Sequence, residues 1–401
     1  MMKLLMIRPL SGDKKFVVAR GLSIVMALMF ALAYSKQLGV DRKGLLTFII
    51  TSNLIFSILL ISGISLHIRN LIAKTTQAIF VLNYVVLVFV FSFFTPLMSL
   101  LLLSLYQEVF DVTIPTNLKI VTLVYCFFAT LNFGFHDVFL MINNIRIAAF
   151  LDLAVVLFQI LSYIVLLYVG ETTNFVSILL SFIVSHLVMT FATILLILYI
   201  FDSAEIPSFT QTKSLLKNSM ELNFATIVSQ IVERVDKVFL GLQTSSADLG
   251  RYSINQSMLN LSRFFPESLA KISLLRDRNF LVGRFQKYQL ALFILILVFL
   301  LTISVSLLVG RFLGDEWVLA LSVVFLMGIV EVLRGVQSLL SINAVRLHAY
   351  VKIRNVAAIQ LLLGLALQPL SINYFGVIGS ISTNLLIVLS SIFFLRRYFD
   401  E

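Results

Sequence analysis

The residues of this sequence best placed to do chemistry are charged side chains set inside long apolar stretches. Glu233-Arg234-Val235-Asp236-Lys237 is one such run. At about 100° per residue, Thr226, Ser229, Gln230, Glu233, Arg234, Asp236 and Lys237 fall on one helix face, and Phe224, Val228, Ile231, Val235, Val238, Phe239 and Leu242 on the other. Gln256, Asn260, Arg263, Glu267 and Lys271 form a second stripe at helical spacing, with Pro266 placed to kink it. Glu331 and Arg334 share a third segment with Ser338 and Ser341. Arg20 stands in the first apolar stretch. Asp137, beside His136, and Asp152 are acids within the apolar stretches of the first half.

Such groups can do two kinds of chemistry. Guanidinium forks hold phosphate through paired, charge-assisted hydrogen bonds, and carboxylates take up and release protons. Both need water or partner charges. One charge at the centre of a lipid-facing helix costs about 2.5–3.5 kcal/mol, so the four of Glu233 to Lys237 would cost roughly 10 kcal/mol against lipid. The stripes are therefore expected to border a polar lumen. The alternative is ion pairing that locks helices together: Glu233 with Lys237, Arg263 with Glu267, and Glu331 with Arg334. Asp152 can pair with Arg146 or serve as a protonation site. His136 and His186 read as hydrogen-bonded interior histidines, and Cys126 as a small interior residue.

The elements that position these groups follow from composition. Of 401 residues, 60% are apolar and 12% are charged, and 36 are phenylalanine. A soluble domain carries roughly 25% charged residues. This excludes an ordinary cytosolic enzyme, a disulfide scaffold and a disordered chain. A single cysteine leaves no internal disulfide and no cysteine metal site, and the four histidines show no metal-ligand spacing. A crossing helix needs about 20 apolar residues. Apolar windows lie near 16–35, 44–65, 78–103, 118–141, 147–169, 175–200, 218–242, 250–272, 286–309, 317–343, 349–368 and 376–395, giving about 12 transmembrane helices. Met1 to Lys15 does not read as a cleavable signal.

Loop charges set the orientation. With the N-terminus in the cytoplasm, 19 of the 30 lysines and arginines lie in inner loops, six in outer loops and five inside the spans. That bias predicts both termini inside. Basic residues held in short loops also argue against nucleic acid as the partner of the +10 net charge. The polar stretch 201–217 divides the chain into an N-terminal six-helix bundle, 1–200, a cytoplasmic linker, and a C-terminal bundle, 218–401. The halves look related. Leu38-Gly39-Val40-Asp41-Arg42-Lys43-Gly44 follows the first window, and Gly241 to Asp248 with Leu249-Gly250-Arg251-Tyr252 follows the seventh. Tyr168-Val169-Gly170 has a counterpart in Tyr374-Phe375-Gly376. Six-plus-six halves of equal orientation would be related by an axis along the membrane normal. No Gly-rich phosphate loop, nucleophile triad or paired-histidine metal helix is readable, so no cofactor and no metal are expected.

Taken together, Lys36-Gln37-Leu38-Gly39 through Gly44, Glu233-Arg234-Val235-Asp236-Lys237 through Leu240-Gly241, and Leu249-Gly250-Arg251-Tyr252-Ser253 carry a resemblance. The chain resembles the polysaccharide, or O-antigen, flippases of the multidrug/oligosaccharidyl-lipid/polysaccharide (MOP) exporter superfamily. The resemblance implies an all-α polytopic membrane protein of the MATE-like fold, not an enzyme, in the bacterial cytoplasmic (inner) membrane. It implies translocation of undecaprenyl-diphosphate-linked oligosaccharide repeat units to the outer leaflet, beside a polysaccharide polymerase and a chain-length regulator. On this reading Arg20, Arg234, Lys237, Arg263 and Arg334 line a diphosphate and glycan chamber. Glu233, Asp236, Glu267, Glu331, Asp137 and Asp152 pair with them or couple a proton or sodium ion, and alternating access runs on an ion gradient or the membrane potential. A MATE-like drug or cation antiporter would favour an acidic lumen. An integral-membrane glycan polymerase would carry a large external loop, and a membrane acyltransferase would need a catalytic histidine at an interface.

Overall fold

A computed structural model describes residues 12–61, 64, 68, 78–110, 114–142, 145–170, 175–200, 209–263, 284–346 and 350–400. Regular structure among them is entirely helical. The helices are α1 (Gly12–Ile61), α2 (Ala78–Phe110), α3 (Thr116–Met141), α4 (Ile145–Gly170), α5 (Phe175–Ile200), α6 (Phe209–Gln243), α7 (Ser246–Leu259), α8 (Arg284–Leu313), α9 (Leu321–Arg346) and α10 (Tyr350–Asp400). A single 3-10 turn, Asp315–Trp317, precedes α9.

Seven described stretches are helical and apolar enough to cross a membrane. Two are far longer than one crossing requires: Gly21–Ile61 has 41 residues and Val351–Arg396 has 46, against the roughly 20 that span a bilayer. Each is interrupted by a glycine in the positive-φ region, Gly39 at φ 74° and Gly376 at φ 56°. A side chain with a Cβ is strained there, so these glycines are where the helical path can break. The chain is a multi-pass membrane protein. Phe89, Phe93, Phe94, Leu97 and Leu101 on α2 are exposed, as suits a surface whose solvent is hydrocarbon.

The residues separate into two compact units. The first holds Met1–Phe30 and Ile49–Ile227, the second Ala31–Phe48 and Val228–Glu401. In the first unit α3 packs on α2, α4 and α5, and α4 packs on α5. Its core is built from Tyr84, Val88, Phe135, Val138 and Phe139. Hydroxyls tie helices together inside it: Thr130 Oγ1 lies 2.8 Å from both Ser57 Oγ and Thr95 Oγ1. Such bonds supply specificity where lipid removes the hydrophobic drive between helices.

In the second unit α9 packs on α10 and α8, and α7 contacts α8 and α9. The segment Ala31–Phe48 joins this unit although it comes from the start of the chain. Its fit to α7 is reciprocal. A Cβ on Gly44 would run into the carbonyl of Ser246, and a Cβ on Gly250 into the carbonyl of Val40. Ser246 Oγ donates to Asp41 Oδ1 at 2.8 Å, and Thr47 Oγ1 donates to Ser253 Oγ at 3.0 Å. Behind this contact Arg251 Nε donates to the Glu316 carbonyl at 2.7 Å, and Asn255 Nδ2 to the Trp317 carbonyl at 3.2 Å.

Candidate functional site in the second unit

The charged run of α6 does not sit by itself. Helices α6, α7, α9 and α10, with Arg263 just beyond α7, bring their polar residues into one cluster. It begins at Asp236, which is fully buried. Tyr252 donates its hydroxyl to Asp236 Oδ2 at 2.6 Å, and Asn384 Nδ2 donates to the same oxygen at 2.8 Å. The backbone N–H of Lys237 closes on Oδ1 at 2.7 Å. Arg334 Nη2 lies 3.9 Å from Oδ2.

From Arg334 the cluster continues with alternating sign. Arg334 Nη1 reaches Glu331 Oε1 at 2.7 Å, and Gln256 Nε2 donates to the same oxygen at 3.0 Å. Arg263 Nη1 lies 3.4 Å from Glu331 Oε2, while its Nη2 meets both oxygens of Glu233 at 3.2 Å. Arg234 lies 3.9 Å from Glu233 and donates to the Gln230 carbonyl at 2.9 Å and Oε1 at 2.8 Å. Among the described residues the order Asp236, Arg334, Glu331, Arg263, Glu233, Arg234 sets three carboxylates against three guanidiniums. Lys237 adds one more cation, and no described carboxylate lies within ion-pair distance of its Nζ.

Burial grades along this chain. Asp236, Glu331 and Arg334 have side chains 0%, 2% and 4% exposed, whereas Arg263, Arg234 and Glu233 reach 14%, 22% and 26%. One end is enclosed and the other is open. The void bounded by Glu233, Arg334, Gln360 and Asn384 has about 10 Å³ of room, enough for at most one water. Taking these charges out of water is costly, and each removal of a single partner would strand a charge. The enclosed end is thus a fixed framework, and the open end holds Glu233, Arg234 and Arg263 in contact with the exterior of the unit.

Arg234, Lys237, Arg263, Arg334, Glu233, Asp236 and Glu331 therefore stand together. Glu331 and Arg334 pair within α9 as their three-residue spacing suggested. Glu233 takes Arg263 from beyond α7 rather than Lys237 one turn along its own helix. Glu267 and the side chain of Arg20 lie outside the described residues. Asp137 and Asp152 belong to the first unit. Sequence reasoning passed over Tyr252 and Asn384, the two neutral donors to Asp236. Asn384 had a signal: it is a lone amide in the apolar window 376–395. Tyr252 stands inside the Leu249-Gly250-Arg251-Tyr252 segment. In the first unit His186 Nδ1 lies 3.2 Å from Asn132 Nδ2, an interior hydrogen bond, and Cys126 is fully buried.

No family model and no curated protein matches the chain by sequence. Solved structures do match by fold. Lipid II flippase MurJ in an inward closed conformation aligns with a TM-score of 0.66 at 14% identity, over 96% of this chain and 87% of that one. An inward-facing multidrug resistance MATE family transporter of the MOP superfamily aligns at 0.65 and 12%, over 99% and 97%. A MOP superfamily transporter from Pyrococcus furiosus, described for the reverse polarity of its binding pocket, aligns at 0.60 and 11%, over 98% and 95%. These neighbours are a flippase and two transporters, and the chain shares their fold along nearly its whole length.

Proposed function

We propose that this protein is a flippase for polyprenyl-diphosphate-linked oligosaccharide repeat units. It would act in a bacterial cytoplasmic membrane, feeding O-antigen, capsule or exopolysaccharide synthesis. The observation that carries the reading is the gathering of Arg234, Lys237, Arg263 and Arg334 among the described residues of the second unit. Among the described residues three guanidiniums stand with three carboxylates, and Lys237 adds a further positive charge on which Asp236 and Glu331 act electrostatically. A sugar head bearing a diphosphate cannot enter hydrocarbon without losing its hydration, and a cation held ready among ordered neighbours offsets that loss. Arg234 and Lys237 are the groups proposed to meet the diphosphate. Arg263 and Arg334 order the carboxylates around them.

The remaining expectations belong to the same proposal. The chain makes twelve crossings in two six-helix bundles joined through 201–217, with both termini in the cytoplasm. Translocation proceeds by alternating access, driven by an ion gradient or the membrane potential, without a cofactor. The likeness to MATE transporters favours one other reading, a drug or cation antiporter of the same fold. It requires an acidic binding surface, whereas cations outnumber carboxylates among the described residues of the second unit's cluster.

The test is complementation. In cells lacking the gene, lipid-linked repeat units should accumulate inside and surface glycan should be absent. Wild-type chain restores export, and Lys237→Gln with Arg234→Gln at equal expression does not. If the double variant restores surface glycan fully, or the deletion alters only drug sensitivity, the flippase reading fails.

A further inference from the structure

The first unit contains a paired acid and imidazole that the diphosphate cluster does not use. His136 on α3 places Nε2 3.1 Å from Asp152 Oδ1 on α4. The same nitrogen lies 3.1 Å from the Ala148 carbonyl, one turn earlier on α4. A carbonyl oxygen only accepts, so Nε2 carries a hydrogen, and that hydrogen faces two acceptors. The tautomer is thereby fixed. Nδ1 keeps a lone pair, and it has no hydrogen-bond partner among the described residues. The side chains are 22% and 41% exposed, so the pair lies at the surface of the unit and is not sealed in its core. A third helix is attached to it: Ser23 on α1 donates its hydroxyl to the Asp152 carbonyl at 3.1 Å.

We propose that His136 and Asp152 form a proton-binding site. A proton arriving at Nδ1 converts a neutral imidazole into an imidazolium facing a carboxylate and a carbonyl, and it strengthens the tie between α3 and α4. Its loss removes the ion pair and leaves a neutral imidazole N–H donating to the carboxylate. Imidazole is the side chain whose ordinary midpoint allows this exchange near neutral pH.

The described groups around the pair come from four helices. Asp137 adjoins His136 on α3. Tyr84 on α2 has a buried hydroxyl without a hydrogen-bond partner among the described residues, within electrostatic reach of Asp137. His186 on α5 is engaged by Asn132. On α1 the facing group is Ser23. The side chains of Arg20 on α1 and Arg146 on α4 lie outside the described residues. On the flippase reading, on which this step rests, the site makes the coupling ion a proton. Binding in one state and release in another would change how firmly α4 is held.

The site is tested first without any substrate. Protein carrying nitrogen-15 histidine in lipid nanodiscs is titrated from pH 5 to 8, and the His136 signal is assigned by its loss in His136→Gln. Should that variant fold poorly, the Gln variants of His67, His186 and His348 assign it by elimination. His136 is expected to titrate in this range. Asp152→Asn should move its midpoint by about one pH unit or more, as removal of a carboxylate within a few ångströms does. A His136 signal that stays constant over the range, or a midpoint unmoved by Asp152→Asn, overturns the site.

The coupling role is tested separately, in proteoliposomes holding lipid-linked oligosaccharide extracted from the deletion cells. An imposed pH gradient should accelerate translocation several-fold for wild type and leave Asp152→Asn unaccelerated. Translocation that ignores the gradient overturns proton coupling at this pair while the flippase reading stands. If wild type translocates none of this lipid, the flippase reading falls, and the histidine titration alone decides the site.

Discussion

Asp236 and Arg334 face one another at 3.9 Å from α6 and α9, with side chains 0% and 4% exposed. Neither charge is satisfied by the other alone. Asp236 Oδ2 also takes the hydroxyl of Tyr252 and the amide of Asn384, and Arg334 also holds Glu331. Four helices of the second unit are thus joined through a handful of buried polar atoms. Asp236→Ala leaves Tyr252 and Asn384 without their acceptor and Arg334 with one carboxylate. It should cost about 3–5 kcal/mol, seen as a lower thermal unfolding temperature in detergent. The double variant Asp236→Leu with Arg334→Met should recover a large part of that loss. A single variant that melts with wild type would show that the pair carries no such energy.

Tyr252→Phe is a milder probe of the same cluster. It deletes one donor to a carboxylate and keeps the ring, which is buried at 2% exposure. Hydrogen bonds to charged groups are worth roughly 1.5–3 kcal/mol, so stability should fall by about 2 kcal/mol with helicity unchanged. Unfolding monitored in a denaturant series checks this.

Arg263 spans two carboxylates on different helices, Glu233 at 3.2 Å and Glu331 at 3.4 Å. Lysine keeps the charge but offers a point rather than a planar fork. Arg263→Lys should therefore fold and insert, yet export surface glycan several-fold less well than wild type at matched expression. Full export by this variant would mean that the bridge has no part in transport.

The contact between Ala31–Phe48 and α7 predicts a position where bulk is not tolerated. Gly44→Val and Gly250→Val each place a side chain against a backbone carbonyl of the facing segment. Each variant should abolish this contact and the export that depends on it. The paired readout is cross-linking. With Cys126→Ala as background, Asp41→Cys and Ser246→Cys stand where their parent side chains meet at 2.8 Å. They should cross-link readily, and the added Gly250→Val should suppress the cross-link. Equal yields in both backgrounds would place no steric role on the glycine.

How the chain reads in advance depends on the range of the interaction. The helical character of α3, α4 and α5 follows from runs of apolar residues, because a membrane leaves the backbone no partner but itself. The grouping of Glu233, Arg234, Asp236 and Lys237 on one face follows from the helical period. So does the pairing of Glu331 with Arg334, three residues apart. Each of these is settled within a single helix.

Partner choice between helices is another matter. Glu233 has Lys237 four residues away on its own helix and still takes Arg263 from beyond α7. His136 has Asp137 beside it and pairs with Asp152 across to α4. Asp236 draws Asn384 from 148 residues away. Ala31–Phe48 packs with the second unit although the residues on either side of it, Met1–Phe30 and Ile49–Ile227, belong to the first. By itself the sequence determined which side chains must avoid lipid, since the cost of burying a charge is a property of the residue and its helix. The tertiary structure alone decided which charges meet, because that depends on how helices remote in sequence are set against one another.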